Sequence, residues 1–434
     1  MPSKRWRHAS AAQAHGQSRP RAHIEGMEPD TDILIIGGGL NGPALALALA
    51  QGGFRVTLVD ARPAGSRADE GFDGRAYALA LASVRALGAL GVWPGLAAMA
   101  QPILGIRASQ GHPGKGAFPL FLGFDHTEIE EGPMGQMIED RHLYRAFLDA
   151  MEAAPGITLR HGASVVAQET GGNRAQVTLD NGEILTARLL VGCDGRDSPA
   201  AQRAGIKRWG WDYGQTALVC ALSHELPHEG IAHQFFMPTG PLAILPLPGN
   251  RSSIVWSETT ENARAIAALD DAGFLEALRP RFGSFLGEIA LEGRRFAYPL
   301  KLTVAESFIA PRLALLGDAA HGVHPIAGQG LNLGLRDMAA LAEVLTLAAR
   351  RGEDIASPLV LERYQEWRRF DTVKMALGMD AVNRLFSNDN PALELARGLG
   401  LGAVNALPGL RRFFIREAAG LNAAQPRLLQ GLPV

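Results

Sequence analysis

The stretch Asp32-Ile33-Leu34-Ile35-Ile36-Gly37-Gly38-Gly39-Leu40-Asn41-Gly42, continuing into Pro43 to Gln51, decides the fold of this chain. A short apolar run that stops at clustered glycines reads as a buried strand, and the Ala/Leu run behind it reads as a helix. Phe54 to Asp60 supplies the next strand. A strand, helix, strand unit of this kind pairs its strands in parallel, with a right-handed crossover and helices over the sheet. Gly37, Gly39 and Gly42 allow a tight turn and let helix amides approach a pyrophosphate. Asp60 ends the second strand, roughly 20 residues on, where a carboxylate accepts from a ribose diol. Alone, these residues make a dinucleotide site without choosing NAD or FAD, and a glycine turn beside a solvated Asp is the plainer alternative.

Two later signals make the choice. Cys193-Asp194-Gly195-Arg196-Asp197-Ser198 follows the apolar run Leu189 to Val191; by itself Asp-Gly at a strand end can be only a turn. Leu315-Leu316-Gly317-Asp318-Ala319-Ala320-His321 ends another apolar strand and is followed by Pro325-Ile326-Ala327-Gly328-Gln329-Gly330-Leu331-Asn332. A carboxylate at Asp318 suits ribityl hydroxyls, and a glycine-rich turn opening a helix presents amides to an electron-rich flavin edge.

Outward from these motifs, Arg75 to Leu90 reads as a helix, and Ile103 to Gly135 as irregular cover or strands of another sheet. Asp140 to Glu152 reads as helix, followed by strands at Thr158 to Ala167, Ala175 to Leu179 and Ile184 to Val191, with Asp180-Asn181-Gly182 as a hairpin turn. Tyr213 to Trp256 suggests short strands of an antiparallel sheet, and Ala263 to Phe282 a helix. Leu313 to Leu316 returns to the first domain and feeds a helix at Leu331 to Arg351. From Ser357 onward the chain reads as helical. Leu410, Phe413, Phe414 and Ile415 interleave there with Arg411, Arg412 and Arg416, which fits a packing helix, a partner surface or a membrane-surface contact.

The fold class is therefore α/β: a discontinuous Rossmann-like nucleotide-binding domain, an inserted antiparallel-sheet substrate domain and a C-terminal helical region. The expected boundaries are 1–28 as a disordered leader; 29–105, 135–205 and 300–350 as the nucleotide-binding domain; 106–134 and 206–299 as the substrate domain; and 351–434 as the helical region. The leader reads as an over-long start before Met27, with an Arg-rich transit peptide as the alternative.

With 434 residues, 47% hydrophobic and 20% charged, the chain has the composition of a folded globular protein of two or three domains. A formal charge of -2 argues against nucleic acid as a partner. Cys193 and Cys220 give no disulfide framework or zinc spacing, which suits the cytoplasm, though one bridge between them stays open. No apolar run reaches the roughly 20 residues of a spanning helix. His321 and His324 lack a third ligand, so no metal is expected. Gly114-Lys115-Gly116 lacks the rest of a P-loop, and Trp209-Gly210-Trp211 reads as packed aromatics.

The three motifs, in this order and spacing, resemble the FAD-dependent aromatic hydroxylases of the p-hydroxybenzoate hydroxylase class, over about Asp32 to Arg351. The run His324 to Asp337, with Asp73-Gly74-Arg75-Ala76 and Glu139-Asp140-Arg141-His142-Leu143, is similar to the signature of the ubiquinone-biosynthesis hydroxylase family. Gln215-Thr216-Ala217, Pro246-Leu247-Pro248 and Arg411-Arg412-Phe413-Phe414 extend the likeness. Asp140 departs from the family, where Asn is common.

The resemblance implies FAD as cofactor. Gly37, Gly39, Gly42 and Asp60 would hold the ADP half, Arg75 and Arg141 would lie along the FAD, and Asp194 with Gly195 would sit near the pyrophosphate. Gly317 and Asp318 would hold the ribityl chain, and Pro325, Gly328, Gly330, Leu331 and Asn332 would border the isoalloxazine. For Arg75 and Arg141, surface or interdomain salt bridges are the alternative. The implied reaction is ring hydroxylation of a polyprenylated phenol in ubiquinone biosynthesis, with NADH or NADPH as transient donor and O2 reacting through a C4a-hydroperoxyflavin. His224, His233 and His324 are candidate bases, none of them singled out. Contact with the inner membrane surface, a quinone-biosynthesis complex or self-association into a homo-oligomer would accompany that role. Rival readings are a hydroxylase of a soluble phenol or aromatic acid, a non-catalytic accessory flavoprotein, and a flavin-free NAD dehydrogenase.

Overall fold

A computed structural model describes residues 28–66, 71–114, 116–324, 328–387, 391–421 and 424–434. The expected leader (residues 1–27), Lys115 and Pro325 lie outside them.

The opening motif builds what its sequence suggests. Strand Thr31–Ile36 lies in parallel between Val56–Asp60 and Ile184–Gly192, with Ile33 opposite both Val56 and Leu189. Leu313–Leu315 and Ile157–His161 extend this parallel core on either side. Val56 to Asp60 is buried along its whole length, as a strand covered on both faces must be. One cover is helix Asn41–Gln51, whose Ala and Leu side chains are all but excluded from solvent. Behind it runs the 22-residue helix Gln329–Arg350, also largely buried. Strands Val165–Glu169 and Ala175–Leu179 form an antiparallel extension on Ile184–Gly192.

A second eight-stranded sheet is built mainly from Arg208–His224, Leu242–Leu247, Arg251–Thr259 and Ile289–Ala305, all antiparallel. Gly105–His112 and Gly116–Asp125 also join it, so the segment after Ile103 is strand rather than irregular cover. Gly105–His112 pairs in parallel with Ile231–Phe236, a break in the antiparallel pattern. One face of this sheet is closed by helices Thr260–Ala267 and Asp271–Phe282 over Leu218, Cys220, Leu222 and Trp256. The other face turns toward the nucleotide-binding part through Ala221, Ala232 and Leu247, which pack on Ile103, Met134 and Met137.

Several element readings are corrected. Arg75 to Leu90 is a strand, Ala76–Ala80, and then a helix, Leu81–Ala89. The Ala-rich stretch has helical propensity, but pairing with Gly135–Glu139 overrides it. Thr158 to Ala167 divides at Gly162, which has φ of 67°. The helix read over Ala263 to Phe282 is two helices, the second capped by Asp270, which accepts from the Gly273 amide at 2.8 Å. The strand around Cys220 is one 17-residue element, Arg208–His224, instead of short segments. Cys193 and Cys220 are both free thiols.

Candidate functional site

The carboxyl ends of the parallel strands frame a cavity of about 460 Å³ lined by Gly37, Gly38, Gly39, Asp60, Arg62, Cys193, Asp194, Gly195 and Arg203, among others. Ligands of open α/β sheets bind at this edge. The three motif glycines do different jobs there. Gly37 has φ of 109°, and a methyl group on it would overlap the Cys193 carbonyl. A methyl on Gly42 would overlap the Gly37 carbonyl, so that glycine lets helix and turn pack. Gly39 faces open space, with no atom within 4 Å of where its side chain would begin. Backbone amides beside an open cavity, with two arginines on its wall, fit an anionic diphosphate.

Asp60 is buried, and both its carboxylate oxygens accept from the Arg62 guanidinium, at 3.3 and 3.0 Å. Arg62 and Arg203 are lining residues that the sequence reading missed; only the fold brings them to this edge. Asp194 is occupied locally: its oxygens accept from Ser198 Oγ at 2.6 Å and from the Ala200 amide at 2.8 Å, fixing the short helix Pro199–Arg203. The group it presents to the cavity is therefore its backbone, next to Gly195 with φ of 89°.

The Gly317-Asp318 turn is held from behind. Asp318 is 41% exposed and accepts from Arg196 of the Asp194-to-Ser198 motif at 3.2 Å, so the two later motifs meet at this ion pair. The Gly317 amide donates to Asp337 at 3.1 Å. Asp337 is fully buried; burial would push its carboxyl up, but His321 at 2.5 Å and Arg368 at 2.7 Å hold it below its ordinary range. Asn41, Gly317 and Gly334 also converge, because a methyl on either glycine would overlap the Asn41 amide. The sequence signals for this were a polar residue opening an apolar helix and a glycine inside a long helix. Nothing in the sequence pointed to Arg368.

Gly328 has φ of 63° and opens helix Gln329–Arg350, and Gly330 faces open space. Leu331 is half-buried in the same first turn. Asn332 is a clamp. Its carbonyl oxygen accepts from the Ala80 amide and Ser83 Oγ, both at 2.8 Å, and its amide donates to the Ala78 carbonyl at 2.9 Å and the Gly328 carbonyl at 3.2 Å. Helix start and small sheet are thereby tied together.

Between them and the second sheet lies a narrow cavity of about 100 Å³, lined by Ala78, Ile103, Ile106, Met134, Ala232, Gln234, Leu245, Gln329, Asn332 and Ala418 among others. The candidate bases fall elsewhere. His224 is held by the Leu226 carbonyl at 2.8 Å and Ser252 Oγ at 3.0 Å. His233 stacks on Phe235 and Phe285 on the opposite face of its strand. His324 packs edge-on against Tyr213, and burial lowers its pKa to about 4, so it is neutral near pH 7.

Arg75 and Arg141 do not line the ADP-end cavity. Arg75 pairs with Asp73 at 2.6 Å and Asp140 at 3.4 Å, and lies over Phe296 of the second sheet. Arg141 pairs with Glu139 at 2.7 Å, and Glu139 also holds Arg251 of the second sheet at 2.8 Å. These ion pairs run between the two sheets.

Fold and site together define a nucleotide-binding α/β flavoprotein with a sheet domain closing over the helix that follows its Gly-Asp turn. The chain belongs to the FAD binding domain family, which matches residues 30–376, and within it to the FAD-dependent aromatic hydroxylases. It is 44% identical to the ubiquinone hydroxylase UbiL of Rhodospirillum rubrum, with 93% of each chain covered. It is 38% identical to the 3-demethoxyubiquinol 3-hydroxylase of Escherichia coli, over 90% of this chain and 99% of that one. Among solved structures, the p-nitrophenol 4-monooxygenase PnpA of Pseudomonas putida superposes with a TM-score of 0.76 at 19% identity, over 92% of this chain and 100% of that one, a likeness of fold.

Proposed function

We propose that this protein is an FAD-dependent monooxygenase that hydroxylates the ring of a polyprenylated phenol in ubiquinone biosynthesis. The observation that carries the reading is the joining of three motifs into one site: the open Gly39 edge, the Asp194–Gly195 backbone and the Asp318–Arg196 pair. Its named relatives support the substrate class.

Gly37, Gly39, Gly42 and Asp60 would hold the ADP half, with Arg62 and Arg203 near the diphosphate. Gly195 would meet the pyrophosphate, Asp318 the ribityl hydroxyls, and Arg75 and Arg141 would lie along the cofactor. Gly328, Gly330, Leu331 and Asn332, with Pro325, would border the flavin ring. Bound FAD, reduced by NADH or NADPH, supplies the activation of O2, one atom going to the ring and the other leaving as water.

The chain's own contribution is shape and dryness. Ala78, Ile103, Ile106, Met134, Ala232 and Leu245 make an apolar slot that orders a flat ring and excludes water. Gln234 and Asn332 sit at its wall, and Asn332 keeps slot and helix start in register.

The test is turnover of a phenol carrying one or two prenyl units with FAD, NADH or NADPH, and isotopically labelled O2. One labelled oxygen in the ring supports the proposal. NAD(P)H oxidation that yields only hydrogen peroxide with every phenol tried contradicts it.

A further inference from the structure

Helix Pro408–Ala418 is amphipathic in the inverted sense. Its charged and β-branched face looks inward: Arg411 donates to Glu128 at 2.6 Å, Arg416 pairs with Glu131, and Ile415 is buried on Ile103, Met134 and Met137. The apolar stripe looks outward, with Leu407 55%, Leu410 40%, Phe413 50% and Phe414 40% exposed. The spacing 407, 410, 413, 414 sets these four on one side of a helix. Contiguous exposed Leu and Phe of this kind mark a contact surface. The exposed charged residue on that side is Arg412.

The same helix walls the narrow cavity. Ala418, one turn beyond Phe414, lines the slot beside Met134 and Ile103, and the Ala419 carbonyl accepts from the Ala82 amide at 3.1 Å. The slot, at about 100 Å³, has room for a ring and little more. A polyprenyl tail attached to that ring must leave it.

We infer that the outward face of Pro408–Ala418 docks the protein on a lipid bilayer, with Leu407, Leu410, Phe413 and Phe414 in the acyl boundary, so that the substrate slot opens next to the membrane holding the substrate. The inference deepens the proposed function and rests on it for the tail. The lipid assignment follows from the stripe's composition: aromatic and aliphatic groups enter the interface, while Arg412 can extend its charge to lipid headgroups. Among the described residues no helix is long and apolar enough to cross a membrane, so attachment here is peripheral.

The experiment is flotation of the full-length holoprotein with phosphatidylcholine vesicles containing a fraction of phosphatidylglycerol. It compares wild type, the double variant Phe413→Ser/Phe414→Ser, and Arg412→Glu. Turnover of a short-chain phenol without lipid is measured alongside. The wild type is expected to float, the double variant to lose at least about tenfold in vesicle partition, and Arg412→Glu to lose binding chiefly where the vesicles are anionic. Lipid-free turnover and flavin content should stay at wild-type levels in all three. A wild type that stays at the bottom of the gradient overturns the inference, as does a double variant that floats equally well. A concentration-dependent dimer abolished by the double variant, with no flotation, gives the face to a second copy instead. Lipid-free turnover separates these failures from failure of the proposed function, which would abolish product in every variant and leave flotation intact.

Discussion

The two ends of the candidate FAD site are built on different plans. At the ADP end the work is done by backbone: three glycines of one turn, one of them open to the cavity, and the strand-end amides of Cys193 to Gly195. At the flavin end it is done by side chains drawn from distant segments. Asp337, His321 and Arg368 hold the Gly317 turn, and Asn332 ties residues 78, 80, 83 and 328 to one point. A backbone cradle fails when an atom is added. A side-chain scaffold fails when one is removed.

The largest effect is expected at the scaffold. Asp337→Ala leaves Arg368 buried without its principal partner and removes the acceptor of the Gly317 amide, and should cost about 3–5 kcal/mol in urea-induced unfolding. Asp337→Ala with a wild-type midpoint would show that the network is dispensable. Next is the cradle: Gly42→Ala forces a methyl into the Gly37 carbonyl and should destabilise the protein by roughly 3 kcal/mol, with loss of bound flavin. Gly39→Ala adds its methyl to open space instead, so it should keep the wild-type unfolding midpoint while losing flavin on dilution. Equal behaviour of the two variants would erase the distinction between packing and ligand-facing glycines.

The third effect depends on pH. His324 has its pKa lowered to about 4 from 6.5 by burial, so folding favours the neutral ring. Its contribution is fully present above pH 6.5 and is lost as pH falls toward 4. The loss by pH 5 is about 2 kcal/mol. Unfolding midpoints of wild type and His324→Gln at pH 7 and pH 5 test this; a variant with the same decline as wild type would remove His324 from the account. The smallest effect is at Asp318, which is half-exposed and touches only Arg196 by its carboxylate. Asp318→Ala should lower flavin retention by about tenfold, roughly one charge-assisted hydrogen bond, with little change in the apoprotein's melting. Full flavin content in that variant would count against a ribityl contact.

This difference in plan also explains what could be read from the sequence. The ADP cradle is a local object: strand, turn and helix lie within 30 residues, and glycine spacing reports it directly. The Gly317-Asp318 turn was equally visible, but its support was not, because Arg368 sits in a helix whose pattern reads only as packing. Arg62 and Arg203 look like any surface arginine until the sheet brings them to one edge. Arg75 shows the converse. Its motif was legible, yet local propensity misread Ala76 to Ala80 as helix, where pairing with Gly135–Glu139 makes it strand. The outward stripe on Pro408–Ala418 was visible as a pattern, but which side met the protein depended on Glu128 and Glu131 from a distant loop.

The most direct test of the central claim is the visible spectrum of the purified protein, followed anaerobically after adding NADH or NADPH with and without a prenylated phenol. Bound flavin absorbs at roughly 370 and 450 nm. The account predicts both bands and faster bleaching with the phenol present. Bands that bleach at the same rate with and without every phenol, or no bands after reconstitution with FAD, would contradict it.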